Sequence, residues 1–590
     1  MPLELTPKEM QVRKRFLEEF DRAEKNSLIG VGNLIENTSK KMPNEKALFF
    51  EDKSWTWRQF NEESNTYANY FLSVGLKPRD VVALILENSP EYLFITTGIN
   101  KIQGISALVN TNQKKRALVH AINIVNPKWI IVDGTNLPSL HEVISDLSIK
   151  KSRIFVINAH QTKAHDYNDY IILKEELHSV SRDNPKTTMN SHPDDKAVYI
   201  YTSGTTGLPK AVIIVNGVGG GIFHMHAFSR VSSEDVVYLT TPLYHSLAVV
   251  VWVGAVHIGA AMVLKKKFSA SQFWKDVQKY KITFTIYIGE IPRYLLNQPE
   301  IEEEKNHTLK RLLGMGLREE IWHQFKSRFN IEHIYEFYGA TEAFGPIFNA
   351  DEIPGMVGRM NPDTHALIKI NPESGEFYKN NSGFCIKCQS GEIGMLLLKV
   401  ENYNTFEKYT QKEETNKKML TGVFKENDAY MITGDLMHLH DNNWLSFGDR
   451  YGDTYRWKGE NVSTLEIETI LNSHPDIKTS AVYGVSIPNT EGKTGMASVL
   501  LKSESEFDIE DFSKFVVESL PKYSIPIFLR IREELALTGS LKITKTNLRK
   551  EGYDISKVRD PLFFWDSIKG LYIKFEENYH QKLIDGKLRI

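Results

Sequence analysis

From residue 81 onward, short apolar runs alternate with stretches that carry apolar residues at helical spacing. The run VVALILEN is followed by SPEYLFITTGINKIQG, and then by ISALVN, RALVHAINIVN and KWIIVDG. Strands that alternate with helices in this way are typical of parallel βαβ units. The rhythm continues through residues 152–159 and, further along, through VVYLTTPL, TFTIYIG and IEHIYEFYG. The N-terminal two-thirds of the chain is therefore predicted to be a large α/β body.

After about residue 450 the pattern changes. The segments are now SAVYGVSIP, GKTGMASVLLK, a helical stretch near IEDFSKFVVESLP, and IPIFLRIRE, which predict a smaller α+β unit around a short sheet. The boundary is expected near DRYGD, where Gly452 can take up a large backbone rotation. We expect a large domain over 1–448, a hinge at 449–453 and a small domain over 454–590.

Two apolar stretches raise the question of a membrane. Leu247 to Leu264 is about as long as a helix needs to be to cross hydrocarbon. It contains His257 and lies among strand-like segments, which favours a buried helix running into a strand. Residues 6–25 are predicted to be helical, and their mixed charges favour a docking helix over one lying on a membrane. The N-terminus shows no apolar core of the secretory type, so export is not expected.

Composition narrows the class of protein. The chain has 590 residues, 41% of them hydrophobic, and can bury several large cores. Its 72 basic and 74 acidic side chains give a net charge of −2, with no electrostatic footprint for nucleic acid. The only cysteines, Cys385 and Cys388, exclude a disulfide framework and fit a reducing compartment. Zinc would need a second pair of ligands, so a structural role is expected for both thiols.

The stretch AVYIYTSGTTGLPKAVII, residues 197–214, places a loop of hydroxyl and turn-forming residues between two β-branched runs. We expect strands at Ala197 to Tyr201 and Ala211 to Val215. Glycines let a backbone approach a ligand closely, and clustered N–H groups, hydroxyls and one lysine suit a polyphosphate. A Walker A loop is excluded, because Pro209 replaces its second glycine and a strand follows. From the loop alone, a phosphate site and an ordinary polar hairpin are about equally supported.

Three further segments follow this loop in order along the chain. They are YGATE at 338–342, TGD at 433–435 followed by Arg450, and GSLK at 539–542. Together with YIYTSGTTGLPK at 199–210, they resemble the motifs of the acyl-adenylate-forming enzymes. That family includes acyl-CoA synthetases, peptide-synthetase adenylation domains and firefly luciferase.

A longer segment resembles one branch of this family in particular. GDRYGDTYRWKGENVSTLEIE, 448–468, is similar to the signature of the very-long-chain acyl-CoA synthetase and fatty-acid transport protein branch. PLYHS at 242–246, NLRKEGYD at 547–554 and DPLFFW at 560–565 fit the same branch. The resemblance extends from about residue 40 to the C-terminus. It implies an adenylate-forming fold that uses ATP, Mg²⁺ and coenzyme A, with rotation of the small domain about Gly452 between two half-reactions.

The resemblance also implies a set of nucleotide-binding residues. Around the phosphates they are Tyr201, Thr202, Ser203, Gly204, Thr205, Thr206, Gly207 and Lys210; around adenine and ribose they are Gly314, Gly316, Tyr338, Gly339, Ala340, Thr341, Asp435 and Arg450. Tyr338 offers an aromatic face for stacking. Asp435 can accept hydrogen bonds from ribose hydroxyls, and Arg450 can donate to ribose or the α-phosphate.

Three residues are implied to act at the reacting groups. Glu342 is a hard oxygen ligand suited to Mg²⁺, with help from Thr205. Lys542 would neutralise the acyl carboxylate and the α-phosphate as they approach each other, with Lys545 as the fallback. His245 in PLYHS would lie near the carboxylate end of the acyl site, although a histidine satisfied within the core is equally compatible with the sequence.

The leading interpretation is ATP-dependent ligation of a long or very long fatty acid to coenzyme A. The alternatives are a non-enzymatic, membrane-associated fatty-acid transport protein, and a CoA ligase for bile acids or other bulky carboxylates. A peptide-synthetase module is disfavoured, since no carrier segment of the GG-x-S type follows Lys542. A luciferase-like oxygenase would share the fold, but the local similarity to the transport-protein branch argues against it.

The location is expected to follow from the substrate. The C-terminus DGKLRI lacks a peroxisomal S-K-L ending. Substrate solubility and resemblance favour peripheral attachment to the cytoplasmic face of a membrane, without distinguishing endoplasmic reticulum, endosome, plasma membrane or peroxisome. Chain-length preference and oligomeric state are not readable from the sequence.

Overall fold

The structure is a computed structural model. It describes residues 5–24, 30–158, 170–203, 208–218, 228–289, 291–341, 346–371, 376–400, 408–451, 455–457, 460–488, 493–503, 507–537 and 543–585. The chain forms two compact units. The first comprises residues 1–316, 325–353 and 402–419, and the second comprises 317–324, 354–401 and 420–590.

The first unit is built of strands and helices that alternate along most of its length. Its strands are β1 Lys46–Phe50, β2 Lys53–Thr56, β3 Val81–Ile85, β4 Ile105–Leu108, β5 Trp129–Asp133, β6 Ile154–Ile157, β7 Ile171–Ile172, β8 Lys196–Ser203, β9 Pro209–Val215, β10 Val236–Leu239, β11 Ala261–Leu264, β12 Phe284–Ile288, β13 Arg311–Met315, β14 His333–Tyr338 and β15 Ile347–Asn349. Its helices are α1 Pro7–Glu24, α2 Val31–Lys41, α3 Trp57–Ser73, α4 Pro90–Lys101, α5 Lys115–Asn123, α6 Leu137–Glu142, α7 Ser246–Ile258, α8 Ala270–Tyr280, α9 Ile291–Leu296, α10 Glu319–Arg328, which runs in from the second unit, and α11 Lys412–Lys417.

Within the described residues of this unit, the strands form two sheets. One has the order β7-β6-β5-β3-β4-β8-β9, and the other has the order β15-β14-β13-β12-β10-β11-β1-β2. The pairings inside both sheets are parallel, and antiparallel pairs occur at β8–β9, β14–β15 and β1–β2. All five residues of β3 and of β12 are buried, as expected of parallel strands covered on both faces. The predicted α/β body is confirmed.

One apolar core draws side chains from both sheets. It includes Leu84 of β3, Leu239 of β10 and Trp252 of α7, all at most 2% exposed. Helix α7 is apolar on nearly every side, and such a helix belongs in an interior. It ends at Gly259, whose φ of 86° is the left-handed conformation that closes a helix at low cost, and β11 follows. Leu247 to Leu264 is thus a buried helix running into a strand, as predicted.

Helix α1 begins with a reciprocal cap that its sequence encodes. The Thr6 backbone N–H donates to Glu9 Oε2 at 2.7 Å, and the Glu9 N–H donates to Thr6 Oγ1 at 3.2 Å. Val12 packs against the main core, whereas Met10 and Leu17 are about half exposed, at 53% and 50%. Among the described side chains of α1, Val12 thus connects the helix to the main core of the first unit. Across the described ranges, no helix combines the length and the apolar character that crossing a bilayer requires.

The second unit contains two principal sheets. Its strands are β16 Met356–Arg359, β17 His365–Ile368, β18 Ile393–Lys399, β19 Met419–Thr421, which starts in the first unit, β20 Ala429–Leu439, β21 Trp444–Arg450, β22 Tyr455–Trp457, β23 Glu460–Val462, β24 Ile477–Val485, β25 Thr494–Leu501, β26 Phe528–Arg532, β27 Leu562–Asp566 and β28 Leu571–Lys574. Its helices are α12 Thr464–Asn472, α13 Ile509–Ser519, α14 Thr546–Glu551 and α15 Glu577–Ile584.

The smaller α+β unit predicted after residue 450 is present. Strands β24 to β28 form a mixed sheet in sequence order, and a second core including Val482, Ala497 and Phe528 lies beneath it. The second unit also takes in residues 354–401 and 420–448. Because Gly452 lies outside the described residues, the hinge at 449–453 and the domain limits around it stay predictions.

Candidate functional site

The loop of residues 204–207 sits on a paired base. Strands β8 and β9 are antiparallel, and their ladder runs up to the pairs Thr202 with Lys210 and Ser203 with Pro209. The strands predicted on both sides of the loop are therefore confirmed, and the strand after the loop excludes a Walker A arrangement. Gly204, Thr205, Thr206, Gly207 and the side chain of Ser203 lie outside the described part of the chain.

Tyr201 fastens the loop base to a neighbouring helix. Its hydroxyl donates to the Ala121 carbonyl oxygen of α5 at 2.7 Å. Burial raises the pKa of Tyr201 above its ordinary value, so the phenol stays neutral and remains a donor. Tyr201 thus anchors β8, the strand that precedes the loop, to α5.

Lys210, the basic residue of the loop motif, forms an ion pair with Glu414 of α11. Lys417 also lies 2.6 Å from Glu414, and hydrogen bonds from Lys210 and then Lys417 lower the pKa of this carboxyl. Residues 408–410 add a short strand-like segment beside β9, since the Ile213 N–H donates to Lys408 O at 2.7 Å. Sequence reasoning missed Glu414, because no pattern links positions two hundred residues apart.

The ends of three parallel strands bring two predicted motifs together. Strands β12, β13 and β14 are neighbours in one sheet, with Ile288 opposite Met315 and Gly314 opposite Glu336. The turn with Gly314 and Gly316 closes β13, and Tyr338 closes β14. Both motifs therefore lie at the carboxyl edge of the sheet, where open α/β sheets bind ligands.

Gly314 and Gly316 are required by the local geometry. A Cβ atom on Gly314 would lie 2.3 Å from the Tyr287 carbonyl oxygen, and Gly316 has a φ of 89°. The Gly316 N–H donates to Glu336 Oε2 at 3.0 Å, while the Tyr287 hydroxyl donates a short hydrogen bond to Glu336 Oε1. Burial, and then the charge of Glu336, raise the pKa of Tyr287. Sequence reasoning missed Tyr287 and Glu336, which hold the turn from the neighbouring strands.

The YGAT segment contacts the start of α7. Tyr338 is buried, Gly339 and Ala340 follow it, and the Thr341 hydroxyl donates to Ser246 Oγ at 3.1 Å. His245 precedes α7, and its ring centroid lies 6.5 Å from that of Tyr244. The structure thus places His245 one residue from a direct contact with the YGAT segment. Glu342 lies outside the described residues.

In the second unit, Asp435 and Arg450 are partners across antiparallel strands β20 and β21. Asp435 is buried, and its N–H donates to Thr433 Oγ1 at 3.1 Å. Between them Gly434 has a φ of 84°, which explains the glycine of the TGD motif. Resemblance paired Asp435 with Arg450, and the strand register places their backbones side by side.

Lys545, the alternative to Lys542 as the predicted catalytic lysine, forms an ion pair. Its Nζ lies 2.8 Å from Glu468 Oε1, with side chains only 16% and 9% exposed. Lys542 belongs to residues 538–542, which lie outside the described residues.

The two cysteines have unreactive surroundings. Cys385 is buried, and burial raises the pKa of Cys388 to about 12, so little thiolate forms at neutral pH. In the ranges that the structure describes, no group of three or more His, Cys, Asp or Glu side chains is arranged to hold a metal ion.

The fold and the placement of these motifs define an enzyme that binds adenylate. The AMP-binding enzyme family model matches residues 35–396, and the model of the AMP-binding enzyme C-terminal domain matches residues 466–542. This chain belongs to the AMP-binding enzyme family. It has the adenylate-forming fold, the class that the four motifs resemble.

Named relatives match nearly the whole chain. Long-chain fatty acid transport protein 6 of Mus musculus is 37% identical over 564 residues, covering 94% of this chain and 90% of the relative. A medium/long-chain-fatty-acid–CoA ligase of Mycobacterium tuberculosis is 32% identical over 573 residues, covering 96% and 93%. Among solved structures, an anthranilate CoA ligase in complex with anthranoyl-AMP matches with a TM-score of 0.73 at 21% identity, covering 89% of this chain and 97% of that one.

Proposed function

We propose that this protein is an ATP-dependent ligase that joins long or very long fatty acids to coenzyme A through an acyl-AMP intermediate. The observation that carries the proposal is the alignment, over 96% of the chain, with a relative named as a medium/long-chain-fatty-acid–CoA ligase. The mouse relative, named as a long-chain fatty acid transport protein, supports the same class of substrate.

The chemistry requires two displacements. A carboxylate oxygen of the fatty acid attacks the α-phosphorus of ATP, and pyrophosphate leaves. The thiolate of coenzyme A then attacks the acyl carbonyl carbon, and AMP leaves. Since negative charge gathers on phosphate oxygens in the first step, positioning and positive charge are what the protein supplies.

The adenine side of the site would use the two strand ends in the first unit. Tyr338 would stack on the base, and Gly314 and Gly316 would let the backbone approach it closely. The hydrogen bonds of Glu336 to the Gly316 N–H and the Tyr287 hydroxyl support this assignment, because they hold the turn in one conformation. Gly339, Ala340 and Thr341 complete the proposed edge.

The phosphates would lie against the loop from Thr202 to Gly207. Its hydroxyl and backbone N–H groups are suitable donors, and Thr205 and Glu342 would supply the oxygen ligands that Mg²⁺ prefers. Bound Mg²⁺ would neutralise charge on the phosphate oxygens. Lys210 belongs to the same proposed set, and a polyphosphate would compete with Glu414 for its ammonium.

The remaining roles rest on resemblance and on three contacts. Asp435 and Arg450 would bind ribose, supported by their pairing on adjacent strands. His245 would lie near the acyl carboxylate, supported by its position beside Ser246, which contacts Thr341. Lys542 would be the catalytic lysine, and the ion pair of Lys545 with Glu468 supports this choice over Lys545.

We also place the protein at the cytoplasmic face of a membrane as a peripheral protein. A water-insoluble substrate and relatives named as transport proteins support this placement. Converting the acid to its CoA ester would trap it and so drive uptake, which makes ligation and transport compatible functions.

Turnover with defined substrates tests the proposal. Purified protein is supplied with ATP, Mg²⁺, coenzyme A and acids from C16 to C24, and acyl-CoA and AMP are measured. We expect equal amounts of both products from the wild type, and at least a hundredfold less from Lys542→Ala. If the wild type and Lys542→Ala form equally little product, the protein is a binding or transport component without turnover.

A further inference from the structure

The signature segment 448–468 contacts Lys545 from two positions on one helix face. Thr464 and Glu468 stand four residues apart at the start of α12, so their side chains point the same way. The Lys545 ammonium donates to Thr464 Oγ1 at 3.0 Å and lies 2.8 Å from Glu468 Oε1. Thr464 is fully buried, and both members of the ion pair are largely so.

Each partner of Lys545 is itself held by a further hydrogen bond. The Thr464 hydroxyl donates to Asp449 Oδ2 at 3.1 Å, and the same oxygen accepts the Thr464 N–H at 3.0 Å. Glu468 Oε1 also accepts the Val482 N–H of β24 at 2.8 Å, and Glu468 Oε2 lies 3.6 Å from the Arg318 guanidinium. Both oxygens that the Lys545 ammonium contacts are thus carried by side chains with further hydrogen-bond or ion-pair partners.

Lys545 is close in the chain to described residues that are paired with each other. Leu537 and Ile543, the residues that flank 538–542, form an antiparallel bridge, and the Thr544 N–H donates to Ala536 O at 2.8 Å. Two residues after Ile543, Lys545 is the N-cap residue of α14, which starts at Thr546. The chain therefore leaves the 538–542 segment through a paired bridge and reaches a buried ion pair within three residues of Lys542.

We infer that Lys545 is a positioning residue for Lys542, because its contacts with Thr464 and Glu468 hold in place the paired residues Leu537 and Ile543 that flank the 538–542 segment. The inference rests on the proposed function, in which Lys542 acts in acyl-AMP formation. An ammonium displaced by about 1 Å from its reacting oxygens loses on the order of a hundredfold in rate. Lys545 then acts on the first half-reaction alone, since the thiolate attack does not use Lys542.

The primary test separates the two half-reactions in Lys545→Met. We expect kcat for acyl-AMP formation to fall about 10- to 100-fold, with the KM for ATP within about twofold of the wild type. Thioester formation from supplied acyl-AMP should remain within about twofold. Lys545→Arg, which keeps the charge, should recover most of the lost kcat. Lys557→Ala, which breaks an exposed ion pair with Asp554 in the same unit, is the matched control and should change neither half-reaction.

Two further variants keep the test valid if Lys545→Met folds poorly. Lys545→Met with Glu468→Gln removes the carboxylate together with the ammonium that it pairs with, and the glutamine oxygen can still accept the Val482 N–H. Its adenylation should remain low although its thermal unfolding midpoint recovers. In a Lys542→Ala background, Lys545→Met should add less than about twofold, because residues that act as a unit are non-additive.

The outcomes distinguish this inference from the proposed function. A wild type that forms no acyl-AMP overturns both. A wild type that forms acyl-AMP, with Lys545→Met equal to it in kcat, overturns only the role of Lys545. Equal losses in both half-reactions, or a full additional loss in the Lys542→Ala background, indicate general damage to the unit and also overturn it.

Discussion

Lys210, in the loop motif of the first unit, forms an ion pair with Glu414, more than two hundred residues further along the chain. The two side chains are only 12% and 13% exposed, so little water screens the pair. The ion pair links β9, the strand that follows the proposed phosphate loop, to helix α11.

Removing the acidic partner should destabilise the protein and alter nucleotide binding. Glu414→Gln leaves the Lys210 ammonium largely buried without its counter-charge, which we expect to lower the free energy of unfolding by about 1–3 kcal/mol. The freed ammonium should favour a polyphosphate, so the KM for ATP should fall. Urea unfolding and initial rates measure the two effects. Glu413→Gln, at an exposed neighbouring residue, is the control. If both variants change the free energy of unfolding and the KM for ATP equally, the ion pair of Lys210 with Glu414 is not the cause.

The same pair predicts a pH dependence of stability. Hydrogen bonds from Lys210 and Lys417 lower the pKa of Glu414 below its ordinary 4.5 in the folded state. Its contribution is therefore complete above pH 4.5 and is lost as the pH falls through the lower folded value. The stability difference between the wild type and Glu414→Gln should shrink as the pH drops below 4.5, measured by unfolding at a series of pH values. A constant difference over that range would contradict the assignment.

Gly314 should not accept a side chain. In Gly314→Ala the new Cβ would lie 2.3 Å from the Tyr287 carbonyl oxygen, which is backbone and cannot swing aside. We expect a loss of stability of about 1–3 kcal/mol and a raised KM for ATP. Gly339→Ala is the comparison for stability, because its Cβ would meet the Phe337 ring at 3.4 Å, an ordinary contact. Equal unfolding midpoints for both variants would show that β13 shifts without cost.

The Tyr287 hydroxyl should stabilise the Gly316 turn through its hydrogen bond to Glu336. Tyr287→Phe removes a hydrogen-bond donor to a buried carboxylate, which should cost about 1–3 kcal/mol and loosen the Gly316 turn. Because that turn is proposed to border adenine, the KM for ATP should rise several-fold while the KM for the acid is unchanged. Tyr335→Phe on the same sheet is the control, since its buried hydroxyl has no hydrogen-bond partner among the described residues. An unchanged KM for ATP in Tyr287→Phe would show that the hydrogen bond between Tyr287 and Glu336 does not affect nucleotide binding.

Local patterning predicted the elements of this protein well. The alternation after residue 81, the strands around the 204–207 loop, and the passage from buried helix to strand at Leu247 to Leu264 are all present. Each depends on side-chain periodicity, flanking turn residues or a terminal glycine, and these act over a few residues. Gly316 and Gly434 have positive φ values, so the local backbone conformation accounts for glycine at both positions.

The contacts that hold the candidate site were not predictable in this way. Glu414 beside Lys210, Glu336 beside the Gly316 turn, and Glu468 beside Lys545 each join segments far apart in sequence. Charged and aromatic residues are common along the chain, and nothing local distinguishes these carboxylates from solvated ones. Only strand order and register decide which of them meet.

By itself the sequence determined the alternating elements, since these depend on residue type and short spacing. Its four motifs indicated the class of enzyme, and the residues expected at the nucleotide, through their resemblance to a known family. The tertiary structure alone decided the order of strands in both sheets, the convergence of the Gly314 and Tyr338 segments at one edge, and the acidic partners of Lys210 and Lys545. The physical reason is that pairing between distant segments is selected by burial of the whole core, a quantity that no short stretch contains.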